Sequence, residues 1–307
     1  FTCANLGANT VTITVTDNNG NVTNGTAVVT VVDTTKPTIS VTNIIVNTNS
    51  GCTWNGTLAL PTTADNCSVI SVISDKVPSF AYPIGVTTVN WIVTDAAGNT
   101  ETVTQTVTVK DVEKPIALAN DFTVILNGAG STTITAAQVN NNSSDNCGIA
   151  TTTISKSSFD CTNVGPNTVV LTVTDNSGNV STVNANVTVQ DSTVPVVITK
   201  PYTLQLNATG NGSIVVADVN NGSSDACGIK SMTVSPNLFT CANVGANTVT
   251  LTVTDINNNV STGTATVTVE DKVLPVVITK NITVQLSASG TALIVASDVN
   301  NLSLIHI

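Results

Sequence analysis

The sequence has few of the residues from which catalytic and nucleic-acid-binding sites are commonly built. It contains no arginine, and its single histidine, His306, is the penultimate residue of the 307-residue chain. Nine lysines stand against nineteen acidic residues, so the formal net charge is −10. A chain this acidic repels the phosphate backbone of DNA or RNA, and we therefore expect no nucleic-acid partner.

Aromatic residues and long apolar runs are also scarce. Phe, Trp and Tyr together make up 3% of the sequence, so any core must be built from Val, Ile, Leu and Ala. No apolar run approaches the roughly 18 residues that a membrane-spanning helix needs. We expect no membrane span within this sequence.

An internal repeat, with a period of roughly 80 residues, organises the chain. Residues 1–17, FTCANLGANTVTITVTD, return at 239–255 with two substitutions. Each repeat closes on a valine-rich segment and an aspartate shortly before a proline; these aspartates are Asp33, Asp111, Asp191 and Asp271. The repeats are 34–111, 112–191 and 192–271, flanked by partial repeats 1–33 and 272–301. Because the flanking repeats are incomplete, we expect the chain to be a fragment of a longer protein.

The last six residues, LSLIHI at 302–307, break the repeat. By the internal register, Ile305 stands where Asp225 would recur, and Ile307 stands where Cys227 would recur. We therefore interpret residues 302–307 as a non-native tail, of the kind that must be set aside before a fold is argued. His306 then has no part in any functional site.

Strand patterns and turn signals fill the rest of the sequence. Period-two alternation of Val or Ile with Thr, as in TVTITVT at 10–16, is typical of a half-buried antiparallel strand. The segments DNNGN, DAAGN, DNSGN and DINNN predict hairpin turns, in which Gly98 and Asn258 supply the required positive φ. No amphipathic helix pattern is present. The sequence predicts an all-β fold of tandem immunoglobulin-like β-sandwich domains in a linear array.

Seven cysteines fit a pattern of one short disulfide in each complete repeat, which would close a loop of about 15 residues. The predicted pairs are Cys52–Cys67, Cys147–Cys161 and Cys227–Cys241. Cys3 corresponds to Cys241, and its partner would precede Phe1. Structural disulfides indicate an oxidising, extracellular compartment. A zinc site and a nucleophilic thiol are not expected, because no CxxC pair and no basic partner exist.

Residues 52–111 resemble a hyalin repeat (HYR) domain of the immunoglobulin-like superfamily. The resemblance rests on the segments PTTADNC, PIGVTTV, TDAAGN and VTVKD, which all lie between Pro61 and Asp111. Repeats 112–191 and 192–271 keep DNCG or DACG and the hairpin, but their second cysteine is displaced. They are similar to the HYR-like repeats of very large bacterial surface proteins. The resemblance implies extracellular adhesion or spacer roles and transfers no catalytic residue.

An enzyme built from this composition would have to use paired carboxylates, as glycosidases do. The only glutamates are Glu101, Glu113 and Glu270, and the aspartates stand at turn and linker positions, where they commonly hydrogen-bond the local backbone. We therefore expect no catalytic residue and no enzymatic activity in this chain.

Two non-catalytic functions remain. The repeats are either a stalk or spacer of a cell-surface adhesin, or glycan- or protein-binding accessory modules of a large secreted enzyme. A glycan-binding module would present exposed, coplanar aromatic rings, and the candidates are Trp54, Tyr82 and Trp91. Trp91 lies in an alternating strand, where core packing explains it equally well. We favour the spacer, with an unknown extracellular protein or glycan recognised by regions outside this sequence.

Three aspartates recur in register in successive repeats: Asp33, Asp65 and Asp95; Asp111, Asp145 and Asp175; and Asp191, Asp225 and Asp255. In an immunoglobulin-like sandwich the entering linker, the loop between the second and third strands and the last hairpin meet at one pole. We expect each trio to converge beside a linker. Close carboxylates repel one another, and Ca²⁺ relieves the repulsion by binding oxygen ligands. The sequence therefore predicts calcium sites at the junctions, although aspartate also caps turns without any ion.

Overall fold

The computed structural model describes residues 1–303, and β-strands dominate it. The α-helices in that range are single turns, namely α1 (Ala136–Val139), α2 (Val216–Val219) and α3 (Ala296–Val299). None of them is long and apolar enough to cross a bilayer. The predicted all-β fold is confirmed.

The first partial repeat and repeat 34–111 contribute ten strands. They are β1 (Gly7–Thr16), β2 (Val22–Val31), β3 (Thr38–Ser40), β4 (Ile44–Asn47), β5 (Thr53–Trp54), β6 (Thr62–Ala64), β7 (Val69–Ser74), β8 (Tyr82–Pro83), β9 (Gly85–Asp95) and β10 (Thr100–Lys110).

Repeats 112–191 and 192–271 contribute six strands each. They are β11 (Phe122–Ile125), β12 (Ser131–Thr133), β13 (Ile149–Ile154), β14 (Ser158–Asp160), β15 (Gly165–Asp175), β16 (Val180–Gln190), β17 (Tyr202–Gln205), β18 (Asn211–Ser213), β19 (Ile229–Ser235), β20 (Leu238–Thr240), β21 (Gly245–Asp255) and β22 (Val260–Glu270).

The long strands of each complete repeat form a four-stranded sheet. The strand orders are β4-β10-β9-β7, β11-β16-β15-β13 and β17-β22-β21-β19. In each sheet the first strand lies parallel to the closing strand of its repeat, whereas the closing hairpin is antiparallel, as β21 and β22 show. The shorter strands pair separately as β3-β6, β5-β8, β12-β14 and β18-β20.

The chain comprises two compact units. The first contains residues 1–119, 140–153 and 171–183, and the second contains residues 120–139, 154–170 and 184 onward. These units do not follow the sequence repeat. The repeat boundaries therefore stay a prediction about domains, and the repeat names denote stretches of sequence only.

One core cluster of the first unit is small and is centred on β9 and β10. Its buried members are Tyr82, Val89, Trp91, Val107 and Val109. Alternation along β9 turns Val89 and Trp91 inward, while Asn90 between them faces solvent. The indole nitrogen of Trp91 donates a hydrogen bond to Oε1 of Gln105 at 2.9 Å, so its one polar atom is satisfied inside the core.

One core cluster of the second unit lies where the four-stranded sheet β17-β22-β21-β19 meets the ladder β18-β20. It consists of Leu204, Leu206, Ile214, Val219, Phe239, Val249, Ala265, Val267 and Val269. Phe239 is the only aromatic residue among these buried members, and 2% of its surface is exposed.

The hairpin turns follow the sequence prediction. Gly98, between β9 and β10, has φ of +92°, and Asn258, between β21 and β22, has φ of +72°. Asparagine adopts this left-handed region more readily than most residues, which explains why it replaces glycine here.

The end of the described chain keeps part of the repeat pattern. Ser303 exchanges hydrogen bonds with the backbone of Ile278, as Ser223 does with Ile198. Leu302, however, has φ of +61° where Gly222 has +85°, and a branched side chain is unfavourable in that conformation. Ser303 fits the repeat and Leu302 does not. The assignment of residues 302–307 as non-native stays a prediction, and His306 lies outside the described residues.

Phe239 and Phe1 occupy the same position of the repeat motif but differ in burial, since Phe1 is 70% exposed. Replacing Phe239 by alanine should lower the free energy of unfolding by about 3–5 kcal/mol, because it removes a buried aromatic side chain and leaves a cavity. Phe1→Ala should change it by less than about 0.5 kcal/mol. Urea unfolding of the two variants measures both values, and equal losses would contradict the described core.

Candidate functional site

The linker that enters each repeat is held by the closing hairpin of the same repeat. Nδ2 of Asn99 donates to the carbonyl oxygens of Asp33 and Thr35 at 3.1 and 3.2 Å. The corresponding bonds run from Asn179 Nδ2 to Asp111 O at 3.3 Å and from Asn259 Nδ2 to Asp191 O at 3.2 Å. Because the bond recurs three times, hairpin and linker meet in the same way at each junction.

The same hairpins are organised by a buried aspartate. Oδ1 of Asp95 accepts from the amides of Ala97 and Asn99 at 2.9 and 2.8 Å, and Oδ2 accepts from Nδ2 of Asn99 at 2.8 Å. Burial raises the pKa of Asp95, but the hydrogen bonds from Asn99 and the turn amides outweigh burial, and the pKa falls below its ordinary value of 3.8. Asp175 has the same contacts and the same lowered pKa. Both carboxylates are therefore ionised at neutral pH.

Four aspartates of the linkers and the DNC loops use only one oxygen each, whereas both oxygens of the linker aspartate Asp33 accept hydrogen bonds. Asp65 and Asp145 accept from the backbone amide two residues ahead at 2.7 Å. Asp111 and Asp191 do the same at 3.1 and 3.0 Å. The other oxygen of each of these four carboxylates is buried and has no hydrogen-bond partner. Such an oxygen has lost its hydration without compensation, which is unfavourable for a charged group.

The linker and loop carboxylates lie close together. Asp33, Asp65 and Asp95 each offer an oxygen within 4.8 Å of the others, as the sequence led us to expect. In the next two repeats the corresponding groups are Asp111, Asp145 and Cys147, and Asp191, Asp225 and Cys227. Asp175 and Asp255 are therefore not members of these groups, contrary to the prediction, although their side chains hold the hairpin turns as that of Asp95 does.

No lysine neutralises these carboxylates within residues 1–303. The ion pairs found there are Lys36–Glu101, Lys76–Asp75 and Lys272–Glu270. Each junction thus gathers two or three carboxylates without a protein cation. Oxygen donors of this kind suit a hard divalent cation such as Ca²⁺.

The predicted disulfide pairing within repeats is wrong. The structure joins Cys3 to Cys67 and Cys161 to Cys227, so each bridge connects two successive repeats. The Cα–Cα distance is 5.2 Å in both bridges. The cysteines of the two bridges are separated in sequence by 64 and 66 residues, far more than the short loops that we predicted.

Strand geometry explains why the short pairing fails. Between Cys227 and Cys241 the chain runs along β19 and then β20, which belong to different sheets and do not fold back on each other. The seven residues of β19 alone extend roughly 20 Å. A disulfide needs Cα atoms less than about 7 Å apart, so cysteines at opposite ends of such a segment cannot meet.

Three cysteines, Cys52, Cys147 and Cys241, are free thiols and half-buried. The thiol of Cys52 donates a hydrogen bond to the carbonyl of Asn146, the residue before Cys147, at 3.2 Å. Burial, Cys52 and the carboxylate of Asp111 together raise the pKa of Cys147 to about 12. Cys241 Sγ lies 3.6 Å from the carbonyl oxygen of Gly210.

The aromatic residues of repeat 34–111 do not form a flat exposed surface. Tyr82 and Trp91 are buried, and Trp54 is half-buried. The rings of Trp54 and Tyr82 are tilted by 46° with centroids 5.5 Å apart. A pocket of about 490 Å³ lies beside Tyr82 and Trp91, and apolar residues such as Leu58 and Val72 line it.

Comparison with known families and proteins agrees with this architecture. Residues 32–109 match the family model of the HYR domain. The chain is 30% identical to hyalin of Strongylocentrotus purpuratus over 289 residues, which cover 87% of this chain and 24% of that protein. It is 29% identical to hyalin of Lytechinus variegatus, over 93% of this chain and 57% of the relative. The chain thus carries HYR-like repeats and spans only part of these relatives. The similarity to bacterial surface proteins that the sequence suggested is not supported, since both relatives are echinoderm proteins.

Similar solved structures include cadherin domains. The extracellular domain of protocadherin GammaB4 is 14% identical with a TM-score of 0.33, covering 88% of this chain and 55% of that chain. The EC22–24 segment of mouse cadherin-23 is 11% identical with a TM-score of 0.32, covering 77% of this chain and 99% of that chain. Likeness at this level carries no argument about function.

The bridge between Cys161 and Cys227 should contribute strongly to stability. Closing a loop of 66 residues restricts the unfolded chain, which corresponds to about 4 kcal/mol of unfolding free energy. Replacing both cysteines by serine should lower the stability by about this amount in urea unfolding of the oxidised protein. Cys241→Ser, which removes an unbridged thiol, should cost less than about 1 kcal/mol. Equal losses in the two variants would contradict the pairing.

Proposed function

We propose that these repeats serve as a non-catalytic spacer in the extracellular part of an adhesive protein. The observation that carries the proposal is the disulfide between successive repeats, seen at Cys3–Cys67 and at Cys161–Cys227. A covalent bond between neighbouring repeats limits their separation under tension, which is what a spacer requires. Disulfides persist in oxidising compartments, and this supports an extracellular location.

The aromatic and acidic residues support the same function. A glycan-stacking surface needs exposed rings, whereas Trp91 donates its indole hydrogen to Gln105 inside the core. Asp95 and Asp175 use their carboxylates to hold hairpin turns, so they are structural groups. The similarity to hyalin is consistent with a repeat region of an adhesion-related protein.

A second candidate is a binding module, and the pocket of about 490 Å³ in repeat 34–111 favours it. Apolar walls together with a few polar or charged residues, here Tyr82 and Lys76, are typical of ligand pockets. We rank this function second because the aromatic rings that would bind a sugar lie in one repeat only.

The spacer predicts an extended molecule in solution. A compact globule of 307 residues has a radius of gyration of about 19 Å. Small-angle scattering of the oxidised protein should give a clearly larger value, and titration with oligosaccharides should leave the tryptophan fluorescence unchanged. A radius no larger than that of the compact globule would contradict the spacer. Saturable sugar binding that is lost in Trp54→Ala, but kept in Phe1→Ala, would favour the binding module.

We further propose that calcium ions occupy the junctions between repeats. The proposal rests on the unpartnered oxygens of Asp111 and Asp145, which lie in the same group of potential ligands. Only 7% of Asp111 is exposed, so bulk water does not solvate its free oxygen well. A divalent cation there would compensate two buried negative charges at once.

Calcium should therefore raise the melting temperature of the protein relative to the same protein in chelator. At a concentration ten times the Kd, binding contributes about 1.4 kcal/mol per site. Asp145→Asn should reduce this increment, and in chelator it should be at least as stable as the unmodified protein, because one of two close charges is gone. Scanning calorimetry measures both effects.

The control is Asp75→Asn, since Asp75 contacts Asn90 and Lys76 away from the junction groups. This variant should keep the full calcium increment. The proposal would be contradicted if calcium did not raise the melting temperature of the unmodified protein, or raised it equally in Asp145→Asn and Asp75→Asn. The junction aspartates would then be turn-forming residues only.

A further inference from the structure

We infer that Cys52 and Cys147 form a third disulfide, which joins repeat 34–111 to repeat 112–191. Both are free thiols in the structure. Their loops are in contact on both sides, because Sγ of Cys52 donates to the carbonyl of Asn146 at 3.2 Å and Nδ2 of Asn146 donates to the carbonyl of Gly51 at 3.3 Å.

The surroundings of the pair match those of a bridge that is present. In the disulfide Cys3–Cys67, Sγ of Cys3 lies 3.4 Å from the carbonyl oxygen of Asn66, the residue before its partner. Cys52 stands in the same relation to Asn146, the residue before Cys147. The preceding aspartates, Asp65 and Asp145, hold the amides of Cys67 and Cys147 with the same 2.7 Å hydrogen bond. The loop that receives the bridge is therefore built alike in both repeats.

The third bridge also explains an irregularity of the repeat. The bridging cysteine of repeat 112–191 is Cys161, and the equivalent position of repeat 34–111 is Ala81. Without a substitute, repeat 34–111 would have no cysteine to offer to the next DNC loop. Cys52 supplies that sulfur from a different connection between strands. Although the cysteine has changed its position in the repeat, each junction between complete repeats then has one bridge.

Formation of this bridge requires an oxidant, and we assign that role to a small-molecule disulfide or the active-site disulfide of an oxidoreductase. The thiolate of Cys52 attacks one sulfur of the oxidant and releases the other as a thiolate. Cys147, after losing its proton, attacks the Cys52 sulfur of this mixed disulfide and releases the second thiolate. Two cysteine thiols are oxidised, one disulfide is reduced to two thiols, and the two protons go to the released thiolates.

The bridge would shorten the covalent path through the chain. With the two disulfides already described, a pulled chain passes through the whole stretch from Cys67 to Cys161. With Cys52–Cys147 added, the shortest path keeps only two short segments of that region, Cys52 to Cys67 and Cys147 to Cys161. The bridge thus removes about 65 residues, or roughly 220 Å of extended chain. Together with the other two disulfides, the bridge keeps most residues of repeats 34–111 and 112–191 out of the part of the chain that carries an applied force.

Thiol counting on the full chain tests the assignment. After incubation with oxidised glutathione and unfolding in alkylating reagent, we expect one free thiol, Cys241, together with a cross-linked peptide that contains Cys52 and Cys147. Cys241→Ser should then have none, and Cys52→Ser should leave Cys147 free or capped by glutathione. Three free thiols, separate glutathione caps on Cys52 and Cys147, or either residue bridged to another cysteine would overturn the inference.

Force spectroscopy supplies a readout that does not depend on chemical labelling. The fully stretched oxidised protein should be about 220 Å shorter than oxidised Cys52→Ser. Cys241→Ser, which lacks a thiol outside the pair, should match the unmodified protein. Equal stretched lengths for the unmodified protein and Cys52→Ser would overturn the inference. Because neither result depends on calcium or on a ligand, the test is independent of the proposed function.

Discussion

Each junction depends on one turn, in which a buried aspartate is paired with the asparagine four residues later. In repeat 34–111 the amide group of Asn99 binds both the carboxylate of Asp95 and the backbone of the linker at Asp33. The turn therefore fixes the hairpin and the entering chain with a single side chain. The linker in this position places the carboxylate of Asp33 near that of the loop aspartate Asp65.

The local part of this arrangement was predictable from sequence. Alternation of Val with Thr identifies strands because the side-chain period of two is imposed by the backbone, and the turn at Gly98 follows from its need for positive φ. The grouping of Asp33, Asp65 and Asp95 was also predictable, since their recurrence in register reflects a common position in each repeat. Asp175 does not join the corresponding group of its repeat, although its carboxylate makes the same turn contacts as that of Asp95; Cys147 is the third member there instead.

The disulfide pairing was not predictable from separation alone. Short spacing suggests proximity only if the intervening chain turns back, and the extended strand β19 carries Cys227 and Cys241 apart. A signal was nevertheless present, because Cys3 to Cys67 and Cys161 to Cys227 are separated by nearly the same number of residues. Pairing between neighbouring copies of a repeat produces such a constant separation. It becomes visible only when cysteines of neighbouring repeats are compared, and not when each repeat is considered by itself.

The three-residue DNC loop brings the covalent and electrostatic features of a junction together. In Asp65-Asn66-Cys67 the carboxylate accepts the amide hydrogen of Cys67, while the sulfur of Cys67 binds Cys3 of the preceding repeat. A bridge at that sulfur restrains the amide, and the restrained amide orients the carboxylate. Ordering a side chain costs conformational entropy. A carboxylate that is already held in this way would therefore lose less conformational entropy on binding a cation. The disulfide and the acidic group therefore order the same loop. They do so in repeats whose small, valine-rich cores contain few aromatic side chains.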